Sequence, residues 1–357
     1  MVKFGVDHAT NSSFLKHEIE DIKKSALLAD SLGYDDVFLM DHINWTPTSS
    51  QISNNWLVLA SLIDQITNSN LGILVSDPHR YHPALLSQMY ATLDNLMNGR
   101  FILGMGAGEG ANLNQYGIKW DKPFTRLKEA IEIMFRLWES KSSSKWRVTY
   151  NGEFFKLKDA FLQIRPNKMP PNLWIAGNGP KTRALTAKYA TGWIPTSTTP
   201  KLYSKWTEEI DKHAQENDRD PKDIDHAYQI YVCITENDQS AFNMLRPIMT
   251  SFCLKHEIIK EYNLEFPEGV DYHSNITYNT LLGMKKEQRK IFEIAECVPD
   301  SLINEMCAYG SVDSIISKLE EFIRSGVDHF VLMFIGKEYY NQIRIFADKI
   351  LTYFRQD

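Results

Sequence analysis

The chain has 357 residues, of which 43% are hydrophobic and 24% are charged, a composition typical of a globular protein with a large core. Its formal net charge is −6 and it has no long basic run, so a nucleic-acid partner is not expected. No run of about 18 apolar residues is present, and the N-terminal MVKFGVDHATN lacks the apolar segment of a signal peptide. We therefore expect a cytoplasmic protein that does not enter a membrane.

The candidate metal ligands are sparse. The four cysteines form no C-x-x-C pair and no zinc-like spacing, and we expect them to be buried and reduced; they are Cys233, Cys253, Cys297 and Cys307. His79 and His82 lie close together, but no third ligand follows at a compatible spacing. We therefore expect no metal site.

Short β-branched or aromatic runs alternate with helical periods along the whole chain. Eight such runs are predicted as strands: residues 3–7, 36–42, 71–77, 101–104, 173–176, 192–197, 227–235 and 328–334. Helices are predicted near residues 19–32, 55–65, 83–97, 126–138, from 181, 202–216, 311–326 and 339–354. This alternation favours one (β/α)8 barrel domain over residues 1–357, with a doubly wound open sheet as the alternative.

Two segments interrupt the alternation. Residues 146–159, WRVTYNGEFFKLKD, have two alternating runs on either side of Asn151-Gly152, which predicts an inserted β-ribbon. A second, helical insertion is predicted near residues 237–300, where proline and glycine break the pattern. Neither insertion suggests a separate domain.

Polar residues and glycine gather where the predicted strands end, which is where a barrel of this type carries its active site. Asp41-His42 follows the second strand, and an imidazole can polarise a reacting centre while a neighbouring Asp holds its tautomer. A helix cap beside a packed histidine would look the same. Alternate glycines from Gly104 to Gly110 would let a flat ring or an anion approach the backbone, and Glu109 stands among them.

The loop AGNGPKTR, residues 176–183, predicts an anion site. It leads into a helix whose N-terminus is positive, so Lys181 and Arg183 are locally unfavourable there unless a phosphate or another anion binds. The alternative is that both cations reach away into solvent. We favour the anion site.

Four segments resemble the bacterial-luciferase-like superfamily, and within it the coenzyme F420-dependent branch. They are residues 28–42 (LADSLGYDDVFLMDH), residues 71–83, residues 98–138 (NGRFILGMGAGEGANLNQYGIKWDKPFTRLKEAIEIMFRLW) and residues 173–182 (LWIAGNGPKT). Residues 104–123 are similar to the methylenetetrahydromethanopterin reductases of archaea. The resemblance covers residues 1–200 and, more loosely, 312–354. It implies a (β/α)8 barrel, usually a homodimer, with a cis peptide near Leu74-Val75 behind the deazaflavin ring.

The resemblance also implies roles for individual residues. His42, Glu109 and Asp7 match catalytic positions. Cofactor contacts are expected from Asp41, Leu74, Val75, Ser76, Gly106, Ala107, Gly108, Asn112, Ala176, Gly177, Asn178 and Gly179. Trp45 and Trp193 are expected at the substrate, although Trp45 stands one residue closer to the Asp-His pair than in the alcohol- and sugar-phosphate-oxidising relatives.

Three functions follow from this resemblance. The first is hydride transfer between F420 and a small carbon substrate, with methylenetetrahydromethanopterin reduction ahead of alcohol or sugar-phosphate oxidation. The second is an FMN-dependent monooxygenase. The third is a flavin-binding protein without turnover, which would not need His42, Asp7 and Glu109 together.

Overall fold

The computed structural model describes residues 1–8, 19–44, 52–266, 296–336 and 338–356. Trp45 and most of the predicted helical insertion, residues 267–295, lie outside the described residues. The described strands are β1 (Lys3–Asp7), β2 (Asp36–Leu39), β3 (Asn70–Ser76), β4 (Phe101–Met105), β5 (Val148–Asn151), β6 (Lys156–Ala160), β7 (Leu173–Ala176), β8 (Gly192–Ile194), β9 (Asp225–Ile234), β10 (Ala308–Gly310) and β11 (His329–Phe334).

Twelve α-helices connect or follow these strands within the described residues. They are α1 (Ile19–Ser31), α2 (Asn55–Ala60), α3 (Pro83–Leu96), α4 (Gly110–Leu113), α5 (Pro123–Glu139), α6 (Pro180–Tyr189), α7 (Pro200–Glu216), α8 (Asp238–Cys253), α9 (His256–Tyr262), α10 (Asp300–Met306), α11 (Val312–Arg324) and α12 (Tyr339–Ile345), which continues through a π-helical turn, Phe346–Leu351, and a last helical turn, Thr352–Arg355. Among the described helices, none combines the length and the apolar character needed to cross a lipid bilayer.

Eight parallel strands close into a barrel. Their order is β9-β11-β1-β2-β3-β4-β7-β8, and β8 pairs with β9 to complete the circle. These are the eight strands predicted from the sequence, so the (β/α)8 barrel is confirmed and the open sheet is wrong. The short strand β10, which was not predicted, adds to β9 through Gly310 and Ile234.

A layer of apolar side chains, one from each of seven of the eight strands, crosses the barrel interior. They are Phe38, Leu74, Ile102, Trp174, Ile194, Ala227 and Val331. Gly72 leaves room for Phe38, since a Cβ on it would lie 2.7 Å from the phenyl ring. This layer forms a solid floor beneath the carboxyl ends of the strands.

The predicted β-ribbon is present as the antiparallel pair of β5 and β6, but its turn differs from the prediction. Asn151 is still paired with Lys156, so the loop has four residues, 152–155, instead of a two-residue Asn-Gly turn. The carboxylate of Glu129, on α5, accepts hydrogen bonds from the backbone N–H groups of residues 153, 154 and 155. This tertiary anchor, which lies outside the local sequence, selects the longer turn.

Candidate active site

Three candidate catalytic residues lie on the carboxyl-end rim of the barrel. Asp7 ends β1, His42 follows β2, and Glu109 follows β4. The buried Tyr231, on β9, is influenced by two of them. Burial is the main cause of its raised pKa, and the carboxylates of Asp7 and Glu109 both add to the increase. Both acids therefore act on this one tyrosine.

Asp7 is only 2% exposed. One carboxylate oxygen accepts a hydrogen bond of 2.9 Å from Nε2 of Gln229, and the other oxygen has no hydrogen-bond partner among the described residues. Burial raises the pKa of Asp7 to about 7, and the bond from Gln229 offsets this only in part. Asp7 can therefore gain or lose a proton near neutral pH.

Glu109 stands at the N-terminus of α4, yet its side chain makes no capping bond. Burial raises the pKa of Glu109; the positive charge of Lys255 opposes the increase and Asp77 adds to it. Lys255 precedes α9, so the second insertion brings a cation into the field of this acid. The sequence did not indicate Lys255, because nothing in its local pattern relates it to a residue 146 positions earlier.

His42 is partly buried, and its Nδ1 contacts Nδ2 of Asn112. Burial lowers the pKa of His42 to about 3, and the nearby positive charge of Arg80 acts in the same direction. The imidazole is therefore neutral at physiological pH. It can donate or accept a hydrogen bond, but it does not carry a positive charge.

Asp41 was expected to hold the tautomer of His42, but the structure places its carboxylate against other side chains. Its carboxylate accepts hydrogen bonds from Nε1 of Trp56 at 3.0 Å, Oγ of Ser76 at 2.7 Å and Nη1 of Arg80 at 3.0 Å. Arg80 also binds Asp77 at 2.6 Å, in a nearly buried ion-pair cluster. Asp41 and the Ser76 hydroxyl thus brace the rim, and Asn112 instead of Asp41 contacts the imidazole.

The bulge in β3 carries the expected cis peptide between Leu74 and Val75. Val75 stands partly exposed above the apolar floor, beside Gly106, where a Cβ would lie 2.8 Å from Cγ2 of Val75. Gly108 has a φ of +72°, which favours glycine. The carbonyl of Ala107 accepts a hydrogen bond of 3.0 Å from Nε1 of Trp120. The glycine run thus packs closely against the bulge, and the hydrogen bond from Trp120 anchors its backbone.

The loop after β7 presents unsatisfied donors beside the N-terminus of α6. Asn178 is 7% exposed, and its Oδ1 accepts the backbone N–H of Thr196 at 3.0 Å. Neither Nδ2 of Asn178 nor Oγ1 of Thr196 has a hydrogen-bond partner among the described residues. Gly177 has a φ of +149° and Gly179 is the N-cap residue of α6. Two free donors next to a positive helix end suit an anion.

Two predicted positions face elsewhere. Arg183 does not serve the loop as an anion ligand: its guanidinium pairs with Glu209 through Nε at 2.9 Å and stacks over Trp206. Trp193 was expected at the substrate, but it is fully buried against Tyr203 and Trp206 of α7. Since strand residues alternate and Ile194 faces the barrel interior, Trp193 faces outward, and we assign it to packing.

The comparisons with known proteins agree with this architecture. The family model described as luciferase-like monooxygenase matches residues 2–329. The chain belongs to the luciferase-like monooxygenase family. The F420-dependent glucose-6-phosphate dehydrogenase of Microbacterium testaceum is 32% identical over 252 residues, covering 69% of this chain and 72% of that enzyme. This luciferase-like protein is an oxidoreductase.

Two further similarities extend over nearly the whole chain. The 5,10-methylenetetrahydromethanopterin reductase of Archaeoglobus fulgidus is 26% identical over 336 residues, covering 92% of each chain. The solved structure of an F420-dependent secondary alcohol dehydrogenase in complex with an F420-acetone adduct superposes with a TM-score of 0.81 over 98% of each chain. At 23% identity, that superposition supports the fold.

Proposed function

We propose that this luciferase-like protein is a coenzyme F420-dependent oxidoreductase. It transfers a hydride between C5 of the deazaflavin and a carbon atom of a small-molecule substrate, in a reaction like that of 5,10-methylenetetrahydromethanopterin reductase. The observation that carries the proposal is the common rim of Asp7, His42 and Glu109 above the bulged strand β3. We also propose that the protein is cytoplasmic and that it forms a homodimer, the latter as the resemblance implies.

The residues present fit such a cofactor. The buried Nδ2 of Asn178 and Oγ1 of Thr196 lack partners among the described residues, and they lie where a phosphate would meet the N-terminus of α6. Leu74, Val75 and Gly106 form a smooth apolar surface at the bulge, suited to a flat ring. When bound, F420 would supply the hydride chemistry at C5.

The side chains of the rim have separate tasks in the proposed reaction. His42, neutral at working pH, donates a hydrogen bond and orients the reacting groups. Asp7, with a pKa near neutrality, takes up or releases the proton that accompanies opening or closing of the substrate ring. Glu109 stabilises positive charge that develops on the substrate.

Two alternatives rest on the same rim. An F420-dependent alcohol or sugar-phosphate dehydrogenase would use His42 or Glu109 to remove a hydroxyl proton, and the similarity to the dehydrogenase of Microbacterium testaceum supports this reading. An FMN-dependent monooxygenase would agree with the name of the family model. We place both behind the reductase, since Asp7 and Glu109 together suit a cationic carbon centre.

Cofactor titration separates these functions. We expect the purified protein to bind F420. The absorbance of F420 should then change as methylenetetrahydromethanopterin or its reduced product is consumed. Isopropanol and glucose 6-phosphate serve as the competing substrates. Tight FMN binding with oxygen consumption, and no F420 binding, would refute the proposal.

A pair of variants tests the acid. Glu109→Gln removes the charge from the rim and should lower kcat by about 100-fold or more, the usual loss when charge stabilisation is removed. Glu208→Gln makes the same change on the exposed surface of α7 and should leave kcat unchanged. An unchanged rate in Glu109→Gln on the accepted substrate would remove this acid from the mechanism.

A further inference from the structure

Asn112 occupies a position between the loop after β2 and the imidazole of His42. Its Oδ1 accepts the backbone N–H of Ile43 at 3.3 Å and that of Asn44 at 3.4 Å. Its Nδ2 contacts Nδ1 of His42. Asn112 is 7% exposed, so these internal contacts occupy nearly the whole amide.

The two backbone donors decide which way round the amide lies. A backbone N–H can only donate, so the amide atom facing Ile43 and Asn44 must be the oxygen. The atom facing His42 is therefore the NH2 group, which can only donate. Orientation of an amide is assigned from such a network of partners, and this network has one consistent solution.

From this geometry we infer that Asn112 is a positioning residue that fixes His42 in its Nε2–H tautomer. Since the amide donates to Nδ1, Nδ1 must be unprotonated, and the single proton of the neutral ring stands on Nε2. This inference rests on the proposed function for its catalytic meaning: Nε2–H becomes the donor offered to the reacting groups. The tautomer itself depends only on the residues named here.

The charges around the ring agree with a neutral state. Arg80, in the turn between β3 and α3, disfavours an imidazolium, and Asp77 favours it more weakly than burial and Arg80 oppose it. Asp41, which the sequence suggested as the group holding the ring, gives its oxygens to Arg80 and two other donors. An uncharged amide therefore orients the ring, as a carboxylate does beside many catalytic histidines, but it selects the opposite tautomer and does not raise the basicity of the ring.

Asn112→Asp is the decisive variant. The substituted side chain keeps an oxygen for the N–H groups of Ile43 and Asn44, so the loop retains its anchor. The other oxygen can only accept, which draws a proton onto Nδ1 of His42 and favours the charged ring. Asn44→Asp adds the same charge on the same loop, where the side chain of Asn44 faces Tyr116, and is the matched control.

Nitrogen-15 NMR of histidine-labelled protein, recorded without cofactor, reads the tautomer directly. His42→Gln assigns the signal. We expect the wild type and Asn44→Asp to show a protonated Nε2 and an unprotonated Nδ1, and Asn112→Asp to show a protonated Nδ1. A wild-type spectrum with the proton on Nδ1 would overturn the inference even if Asn112→Asp does not fold, and so would an unchanged pattern in a folded Asn112→Asp.

The activity readout is separate. In Asn112→Asp we expect kcat to fall by about 100-fold, the usual loss of a hydrogen-bonding acid or base, with a smaller change in KM. If the spectrum agrees but the wild type has no F420-linked activity, the proposed function fails and the tautomer assignment stands. If activity is present but the spectrum disagrees, the assignment alone fails.

Discussion

Asp7→Asn should stabilise the protein while it removes a group we place in the reaction. The wild-type carboxyl is buried beside a single donor, Gln229, and burial raises its pKa from 3.8 to about 7. One pH unit corresponds to about 1.4 kcal/mol, so ionised Asp7 costs the folded state up to about 4 kcal/mol at pH 8. Asn keeps an oxygen for Gln229 and carries no charge.

The sign of the pH dependence follows from the raised pKa. The penalty is absent below pH 3.8, where the carboxyl is neutral in both states. It grows as pH rises and is complete above about 7, where the folded carboxyl also ionises. The gain in unfolding free energy from Asp7→Asn should therefore be larger at pH 8 than at pH 5.

Urea unfolding followed by circular dichroism at pH 5, 6, 7 and 8 measures this gain, and the difference between midpoints is the quantity to compare. Asp64→Asn, on the exposed surface after α2, makes the same change where no burial penalty exists. If Asp7→Asn were less stable than the wild type at pH 8, or if its gain were the same at every pH, the assignment of a desolvated carboxyl to Asp7 would be wrong.

Three further expectations concern the scaffold, and urea unfolding checks each. Burial lowers the pKa of His329, but the ion pair with Asp36 at 2.6 Å and the charge of Asp225 raise that pKa to about 9. The wild type should therefore have about 3 kcal/mol of stability that is fully present below pH 6.5 and is lost by pH 10. His329→Gln should not show this loss. Gly106→Ala should lower the free energy of unfolding by about 1–3 kcal/mol, because the added methyl group overpacks against Val75. The same variant should bind F420 more weakly in a fluorescence titration. Arg80→Met, which leaves two buried carboxylates unpaired, should cost about 3–5 kcal/mol; a loss below 1 kcal/mol would contradict the buried ion-pair cluster.

The strands and the rim could be read from the sequence because both depend on local pattern. Short apolar runs bounded by glycine and polar residues predict strands, and a closed parallel barrel places their carboxyl ends together. His42 and Glu109 were found in this way, and Asp7 was added by the resemblance. The cis peptide at Leu74-Val75 came from the resemblance, since no local pattern encodes it.

The contacts of long side chains could not be predicted from the sequence, because their partners come from distant parts of the chain. Arg183 donates a hydrogen bond to Glu209 on the next helix, and Arg80 donates one to Asp41, 39 positions away. Trp193 is the exception that pattern could have resolved. It pairs in register with Ile175, next to the inward-facing Trp174, so strand alternation already directs it away from the barrel interior.

The fold also reverses the usual order of proton affinity at the rim. In water a carboxyl loses its proton well before an imidazolium does. Here burial disfavours both charged forms, so the pKa of Asp7 rises to about 7 and that of His42 falls to about 3. The group able to exchange a proton at neutral pH is therefore the carboxyl, and the imidazole is neutral at that pH. Asn112 and Arg80 favour that same neutral ring from two sides, which is why we assign proton transfer to Asp7 and orientation to His42 in the proposed reaction.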